Sequence, residues 1–453
     1  MTERRPRRND VDVARLAALQ VLKTVRVDDA YTNLVLPAVI THFALGPRDA
    51  AFVTELASGS LRWRGTYDAI LGACVDRSIN KVEAKVLDVL RLGTHQLLAM
   101  RVPDHAAIST SVDLVRATVS EGAAGFTNAV LRKVAAQDLA AWVAQVAPDP
   151  AKDWRRYGGV VYSHPDWIVA EFRRALGMDQ LHALLAADNV PPKVTLVARP
   201  GRSTREELPG TPTPYSPYGV TLDGGAPHDV AAVAEGRAGV QDEGSQLVAG
   251  VLAAASLEGR DRLWVDLCAG PGGKAALLAA LAEQQGAGLL AVETQQHRAR
   301  LVARSLRGGS GTWGVVTADG RQPPLPPGAA DRVLVDAPCS GLGALRRRPE
   351  ARWRRKPGDL VPLVLLQRKL LAAALDLVRP GGLVLYATCS PVLSETADVV
   401  SSVVGAGRDV AIEDAGALLP EVPDCAGPLP GTVQLWPHRH GTDAMFMALL
   451  RRT

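Results

Sequence analysis

The stretch VDLCAGPGGK at residues 265–274 decides how the chain is organised, because it joins an apolar run to a helical pattern through three glycines and a proline. Glycine lets the backbone turn tightly and approach a ligand closely before a helix begins. The stretch therefore predicts a strand that ends in a ligand-binding turn, with the ligand at the N-terminus of the next helix.

Apolar strand patterns and helical patterns alternate on both sides of this turn. This alternation predicts a mainly parallel, doubly wound sheet in an α/β domain over residues 241–453. The predicted strands are Leu263 to Leu267, Leu289 to Val292, Val315 to Thr317, Val333 to Val335 and Leu383 to Ala387. The predicted helices between them are Lys274 to Glu283, Arg298 to Leu306 and Leu363 to Val378.

The chain before this domain has a different pattern. Residues 1–150 carry helical periodicity and predict an all-α bundle that follows a basic arm at residues 1–10. Residues 151–240 predict a linker helix and a small β-rich subdomain that is dense in proline and glycine. We therefore expect a multidomain protein, which suits a length of 453 residues.

The composition excludes several classes of protein. The five cysteines are an odd number spread over a long chain, which is not typical of a disulfide framework. The basic N-terminus lacks the apolar run of a secretory signal, and no apolar run reaches the roughly 20 residues of a membrane span. We expect a soluble, cytoplasmic protein, and we predict neither a metal site nor an obligate protein partner.

Carboxylates follow several of the predicted strands. Glu293 stands about 20 residues past the glycines, where a carboxylate can accept hydrogen bonds from both hydroxyls of a ribose. Asp319 and Asp336 also follow strands, and ligands of open α/β sheets bind at this edge. The pattern favours a cofactor that contains a nucleoside, and from these residues alone a nicotinamide dinucleotide fits as well.

Two cysteines follow predicted strands at the same edge. Cys339 stands in Asp-Ala-Pro-Cys-Ser and Cys389 in Ala-Thr-Cys-Ser, whereas Cys74, Cys268 and Cys425 are interpreted as small core residues. Methylation of cytosine is one reaction for which a thiolate is suited, because C5 of cytosine becomes nucleophilic only after a thiolate adds to C6. Asp336, if it carries or shares a proton, could stabilise such an adduct at N3.

A basic strip follows Cys339. Residues 346–356 contain seven cations and one anion, together with Trp353. A charge run is often only a solvated surface, but beside a chemical site it favours binding of phosphates. The predicted RNA-binding residues are Arg346, Arg347, Arg348, Arg352, Arg354 and Arg355. In the N-terminal arm, Arg4, Arg5, Arg7 and Arg8 form a second basic group that can equally be a non-specific tail.

Together these motifs resemble those of the bacterial Sun (Fmu, RsmB-type) RNA cytosine-C5 methyltransferases. The resemblance rests on VQDEGSQ at 240–246, DLCAGPGGK at 266–274, DAPCSGLGALRRRPE at 336–350 and ATCS at 387–390. It extends to Gly441-Thr442-Asp443 and to an N-terminal region that is similar to NusB RNA-binding domains, with VPDHAAIS at 102–109 and FTNAVLRK at 126–133. Nearly the whole chain is covered.

The resemblance implies S-adenosylmethionine as cofactor and RNA as partner, with a cytosine of small-subunit (16S) rRNA as substrate. It implies that Cys389 is the nucleophile and that Cys339 assists proton removal and release. It also implies an RNA-recognition-like fold for the small subdomain. The implied cofactor residues are Cys268, Ala269, Gly270, Pro271, Gly272, Gly273, Lys274, Glu293, Arg298, Asp319 and Asp336.

The chain departs from the family pattern at three places. Glu293 stands where Asp is more frequent, Ala269-Gly270 replaces a more usual Ala-Ala, and Ala444 follows Asp443 where Gly is common. None of these changes removes a group that the chemistry needs.

Other interpretations remain at this point. The chain could be a non-catalytic RNA-binding or assembly factor, although both cysteines are present. It could be a DNA cytosine-C5 methyltransferase with the Pro-Cys thiol as nucleophile, or it could act on another RNA such as tRNA. An enzyme that uses a nicotinamide dinucleotide is a further alternative. Neither the modified nucleotide nor the oligomeric state follows from the sequence.

Overall fold

The computed structural model describes residues 11–453, so the basic arm predicted at 1–10 lies outside the described residues. Contacts between residues divide the chain into two units. The helical unit holds 11–173, 178–190 and 345–355, and the sheet unit holds 174–177, 191–344 and 356–453. Most of residues 151–190 thus group with the helices that precede them, and the three-part division with boundaries at 150 and 240 stays a prediction.

The helical unit is built from helices along nearly all of its described length. They are α1 (Val13–Val27), α2 (Thr32–His42), α3 (Pro47–Arg62), α4 (Arg64–Cys74), α5 (Ala84–Leu98), α6 (Asp104–Thr118), α7 (Glu121–Val134), α8 (Leu139–Val146), α9 (Trp154–Val161), α10 (Asp166–Leu176), α11 (Leu181–Ala187) and, after a long interval in sequence, α16 (Ala351–Arg354). This confirms the predicted all-α bundle.

The sheet unit contains the strands of the described chain and the remaining helices. The strands are β1 (Thr195–Ala198), β2 (Thr211–Pro212), β3 (Gly219–Thr221), β4 (Ala238–Val240), β5 (Leu263–Asp266), β6 (Gly288–Glu293), β7 (Thr312–Thr317), β8 (Ala330–Asp336), β9 (Val378–Thr388), β10 (Val410–Glu413), β11 (Val433–Gln434) and β12 (Phe446–Arg452). The helices are α12 (Ala231–Ala234), α13 (Glu243–Ala254), α14 (Gly273–Gln284), α15 (Gln296–Ser305), α17 (Leu360–Leu377), α18 (Ala397–Val404) and α19 (Pro437–His440).

Side-chain caps and one apolar face explain the bundle locally. The side chains of Asp12, Ser120 and Asp138 accept hydrogen bonds from backbone N–H groups in the first turns of α1, α7 and α8. In α5 the residues Val89 and Leu90 are completely buried, as expected of the apolar face of an amphipathic helix. Capped, amphipathic helices of this kind are stable once their apolar faces pack together.

A small antiparallel sheet forms the first part of the sheet unit. Its strand order is β2-β3-β1-β4, and β1 pairs with both β3 and β4. Leu196 and Ala198 of β1 pack with Val220 and Ala238 in a small separate core. The predicted β-rich subdomain is therefore a small sheet, and Val197 on the opposite face of β1 packs in a core of the large sheet.

The large sheet has the strand order β10-β12-β9-β8-β5-β6-β7, and β11 pairs with β12. The five strands from β9 to β7 are parallel, which confirms the predicted α/β fold. Strands β10, β11 and β12 are antiparallel additions that the sequence pattern did not predict. Helices α14 and α17 lie in the cores of the two faces. Within residues 11–453, no helix has the length and apolar character of a membrane span.

A single buried carboxylate joins the starts of three parallel strands. Asp331 of β8 accepts hydrogen bonds from the backbone N–H groups of Arg262 and Leu263 at 2.8 and 2.9 Å. It also accepts from the guanidinium groups of Arg260 and Arg379 at 2.8 and 2.9 Å. Burial raises the pKa of Asp331, but these donors outweigh burial and hold its pKa below the usual value. Asp331 thus fixes β8 against the segments that begin β5 and β9.

We predict that Asp331→Ala lowers the free energy of unfolding by about 3–5 kcal/mol at pH 7, because two buried N–H groups and two cations lose their partner. The matched control is Asp376→Ala, whose exposed ion pair with Arg408 is worth at most about 1 kcal/mol. Urea denaturation measures both values. The lowered pKa stabilises the fold above the unfolded-state pKa of about 4, and this contribution is lost as pH falls through the folded-state pKa.

The difference between wild type and Asp331→Ala should therefore shrink when unfolding is measured at progressively lower pH. Equal destabilisation by Asp331→Ala and Asp376→Ala at pH 7 would contradict the role given to Asp331.

Candidate active site

The carboxyl ends of four neighbouring strands meet at one edge of the large sheet. Asp336 at the end of β8 pairs in register with Ala387 of β9, and Asp266 at the end of β5 pairs with Leu334 of β8. Strand β6, which ends at Glu293, lies next to β5. Because parallel strands end on the same side, the predicted acids and both predicted cysteines lie at this one edge of the sheet.

The glycine turn between β5 and α14 excludes larger residues at two of its positions. A Cβ atom on Gly270 would lie 2.1 Å from the Glu293 carboxylate, and Gly272 has a φ of +114° that L side chains rarely adopt. The peptide bond between Gly270 and Pro271 is cis. Helix α14 begins directly after this turn, so its first backbone N–H groups face the same edge.

Glu293 is held by the turn itself. It is buried, and its two carboxylate oxygens accept hydrogen bonds from the backbone N–H groups of Gly270 and Gln295, both at 3.0 Å. Arg298 donates to the carbonyl of Gly270 at 2.6 Å and lies 3.7 Å from Glu293. Each carboxylate oxygen has two acceptor sites, so each keeps one for a ligand hydroxyl.

Charge is concentrated between the turn and β8. Lys274 of α14 donates a hydrogen bond to Asp336 at 2.9 Å. Burial lowers the pKa of Lys274, but Asp336 outweighs burial and raises that pKa overall. Asp266 is completely buried, and burial together with the charge of Asp336 raises the pKa of Asp266 to about 7. Asp336 is thus paired with an ammonium group, and its expected role at N3 of a cytosine stays a prediction.

These residues fit a cofactor that carries a nucleoside. The Oδ2 atom of Asp266 is buried without a hydrogen-bond partner among the described residues, Glu293 keeps acceptor capacity, and positions 270 and 272 of the turn favour glycine. Asp319 follows β7, the strand that pairs with β6. It is half-exposed, and its hydrogen bonds with Arg321 lower the pKa of Asp319. Cys268, Ala269, Pro271 and Gly273 complete the turn.

The two strand-end thiols are in contact. The sulfur atoms of Cys339 and Cys389 lie 3.4 Å apart. The hydrogen bond with Cys389, followed by burial, holds the pKa of the Cys339 thiol well above its usual value. The Cys389 carbonyl accepts a hydrogen bond from Gly343 N–H at 2.9 Å, which joins the two loops a second time. Cys74 and Cys425 are buried elsewhere, in keeping with core roles.

Sequence reasoning missed several residues behind the thiols. Ser340 and Ser390 directly follow the two cysteines, and both hydroxyls donate to the carboxylate of Glu395. Gln367 of α17 donates to Glu395 and to the carbonyl of Pro338. The repeated Cys-Ser pair was a visible signal, whereas nothing in the local pattern distinguished Glu395 from a solvated helix-capping acid.

The predicted basic strip is not one exposed surface. Arg352 is completely buried in the helical unit, where it donates to the carbonyl of Ser163 and to Asn189 Oδ1, both at 2.9 Å. Glu350 accepts hydrogen bonds from the backbone N–H and hydroxyl of Thr32, at the start of α2. The prediction of a solvent-facing phosphate contact is wrong for Arg352, because its guanidinium is used inside the fold.

The other residues of the strip differ from one another. Arg346 is also buried, so it does not belong to an exposed surface either. Trp353 donates its indole N–H to the carbonyl of Leu61 at 2.8 Å, which assigns it to packing. Arg354 forms an ion pair with Asp29. Arg347, Arg348 and Arg355 are partly exposed, and their predicted contact with phosphates stays a prediction.

The chain is similar to known methyltransferases. Two family models match the chain: "16S rRNA methyltransferase RsmB/F" over residues 254–451 and the NusB family over residues 12–136. A putative methyltransferase of Mycobacterium tuberculosis is 50% identical over 99% of this chain and 98% of its own length. The ribosomal RNA small subunit methyltransferase B of Salmonella newport is 31% identical over 88% of this chain and 92% of its own.

Solved structures share the fold. The crystal structure of PH0851 is 21% identical, covers 98% of this chain and 99% of its own, and superposes with a TM-score of 0.78. NSun6 from Pyrococcus horikoshii is 17% identical, covers 64% of this chain and 98% of its own, and has a TM-score of 0.54.

We predict that Arg352 and the partly exposed arginines respond oppositely to substitution. Arg352→Met should lower the free energy of unfolding by about 3–5 kcal/mol, because buried carbonyl and amide acceptors lose a charged donor. A triple variant with Arg347→Gln, Arg348→Gln and Arg355→Gln should lose much less stability than Arg352→Met, because these three side chains are only partly buried. Its affinity for single-stranded RNA should depend less steeply on salt, by up to about 0.7 in log–log slope per lost contact.

Urea denaturation and filter binding across a salt series make both measurements. An unchanged salt slope in the triple variant would leave these three arginines as an ordinary solvated surface.

Proposed function

The chain belongs to the RsmB/F family of 16S rRNA methyltransferases, and on that premise we propose that it methylates C5 of a cytosine in small-subunit rRNA through a covalent intermediate with Cys389. The contact between the two strand-end thiols carries this proposal. The family is dependent on S-adenosylmethionine, which supplies the methyl group when it is bound. Gly270, Gly272, Lys274, Glu293 and Asp336 would hold it at the sheet edge, and Arg298 would fix Glu293 and the turn.

The pairing of the thiols supports different roles for them. Either sulfur can donate in this contact, and we assign the donor role to Cys339 because its pKa is raised, which leaves Cys389 as the acceptor. The charged Lys274 is close enough to Cys389 to interact with it electrostatically. A hydrogen bond and a nearby cation both favour the thiolate of Cys389, which is the form that attacks C6.

The proposed reaction has two stages, an addition with methyl transfer and an elimination. The Cys389 thiolate forms a bond to C6, and the electron pair of the C5–C6 double bond moves to C5, which then takes the methyl group. Cys339, once it has released its own proton to water, accepts the proton of C5. The electron pair of that C–H bond restores the double bond and expels Cys389 as a thiolate.

The order of these steps follows from the same contact. The interaction with Cys389 is the largest cause that raises the pKa of Cys339. Once the sulfur of Cys389 is bonded to carbon it is neutral and no longer a thiolate, so this cause disappears and Cys339 ionises more readily. Formation of the adduct therefore favours Cys339 as the base of the second stage, while burial continues to raise its pKa.

RNA recognition falls to other parts of the chain. The NusB family match over residues 12–136 supports an RNA contact by the helical unit. The name of the Salmonella relative, a methyltransferase of the ribosomal RNA small subunit, supports rRNA as the substrate here. We extend the proposal to a cytoplasmic protein that works on RNA and requires no other protein.

We predict that Cys389→Ser abolishes methylation and leaves no covalent RNA complex, because a serine hydroxyl ionises far less readily than a thiol. Cys339→Ser should still attack and accept the methyl group but should release the product slowly, so a protein–RNA adduct resistant to denaturant accumulates with S-adenosylmethionine. Denaturing gels and mass spectrometry of the modified nucleoside measure both results. Cys425→Ser, which changes a buried thiol outside the site, is the matched control.

An adduct that appears with Cys389→Ser and is absent with Cys339→Ser would reverse the two roles, as in the DNA-type mechanism. Full activity of both variants, or a methyl group on an atom other than C5, would contradict the proposed function itself.

A further inference from the structure

We propose that Glu395 is the positioning residue that holds the two cysteine loops of this site at their working separation. The inference rests on the proposed function, since it concerns how the two thiols reach adjacent atoms of one base. Glu395 ends a short 3-10 turn at Leu393–Glu395 and is completely buried. It acts through the serines that follow the two cysteines.

The carboxylate of Glu395 connects both loops directly. One oxygen accepts from the backbone N–H of Ser340 at 2.7 Å, and the other accepts from the hydroxyls of Ser340 and Ser390 at 2.5 and 2.6 Å. The two serine hydroxyls are themselves 3.2 Å apart. One rigid, planar group therefore binds the residue after Cys339 and the residue after Cys389.

Glu395 is also fixed from behind. Its backbone carbonyl accepts a hydrogen bond from the hydroxyl of Tyr386 in β9 at 2.7 Å. Gln367 donates to its carboxylate at 3.1 Å and to the carbonyl of Pro338 at 2.9 Å. The acid thus has one position, set by β9 and α17, and it transmits that position to both loops.

The geometry requires such a connection. Cys339 and Cys389 follow different strands, and a loop after a strand is free to move unless other contacts hold it. In the proposed reaction one sulfur acts at C6 and the other at the hydrogen of C5, which are neighbouring atoms. A displacement of about 1 Å at such a site can reduce the rate about 100-fold.

Three variants separate positioning from charge and from general stability. Glu395→Ala removes the hydrogen bonds of the carboxylate and keeps the one that the backbone carbonyl accepts from Tyr386. Glu395→Gln keeps the shape, since its amide oxygen can accept from Ser340 N–H and its amide nitrogen can donate to the serine hydroxyls. Val403→Ala removes buried methyl groups from α18, the helix that follows, without touching either loop.

In single-turnover methylation, Glu395→Ala should be about 100-fold slower than wild type with unchanged affinity for S-adenosylmethionine, whereas Glu395→Gln should remain within about tenfold. Val403→Ala should react like wild type. Glu395 is also one of the charges that raise the pKa of Cys339, so Glu395→Gln should move the pH profile of Cys339 alkylation to lower pH. A residue with only a structural role would not produce that shift.

A second measurement needs no RNA. The oxidant diamide takes up two electrons and two protons to become a hydrazine as it converts a pair of neighbouring thiols to a disulfide. Formation of the Cys339–Cys389 disulfide, followed by mass spectrometry, should be about tenfold slower in Glu395→Ala than in wild type and Glu395→Gln, because the loops lose their mutual orientation.

The outcomes distinguish the two proposals. If wild type does not methylate C5, the proposed function fails, while the diamide rates still test the position of the loops. Methylation and diamide rates of Glu395→Ala that equal those of wild type would overturn the inference. If Glu395→Ala does not fold, the double variant Ser340→Ala with Ser390→Ala replaces it, and wild-type rates in that variant would overturn the inference equally.

Discussion

The parallel pairing of β9, β8, β5 and β6 is the constraint on which the rest of the sheet unit depends. Backbone hydrogen bonds fix the register of these strands, so their carboxyl ends cannot move independently. Groups that are far apart in sequence are brought within hydrogen-bond reach, as Lys274 and Asp336 illustrate at 2.9 Å. Strand register and short loops thus determine which side chains meet in the site.

The pKa values of two buried carboxyl groups are shifted in opposite directions at the two ends of the sheet. At the amino ends, Asp331 has donors for both of its oxygens, and its pKa is held below the usual value. At the carboxyl ends, Asp266 has a single backbone donor at 3.1 Å and acidic neighbours, and its pKa rises to about 7. The donors around Asp331 stabilise the fold. Asp266 keeps an oxygen that can still accept a hydrogen bond, and such perturbed carboxyl groups are typical of functional sites.

The sequence predicted best what depends on local pattern. The strand-turn-helix at 265–274, the five parallel strands and the two strand-end cysteines all follow from periodicity and glycine placement. The antiparallel strand β12 did not, because a mostly buried strand of seven residues has no period that separates it from a helix. Glu395 was missed because its partners come from three elements, and only the assembled fold brings them together.

The basic strip shows that a strong local signal can also mislead, because burial is decided by the assembled fold. Seven cations in eleven residues are a strong sequence signal, yet charge density does not say which guanidinium groups face water. Arg352 finds carbonyl acceptors at Ser163 and Asp188 that lie more than a hundred residues away along the chain. Long-range hydrogen bonds of this kind override a local interpretation, since a buried cation is tolerated only where acceptors surround it.

The position of residues 345–355 has a consequence for synthesis on the ribosome. This segment belongs to the helical unit, where Glu350 occupies the start of α2 and Arg352 fills the interior near Asn189. The chain emerges from its N-terminus, so these contacts cannot form until residue 355 has left the exit tunnel, long after the first eleven helices have been made. Completion of the earliest unit is thereby coupled to translation of the loop that carries Cys339, and a nascent chain arrested before that loop retains an unfinished bundle.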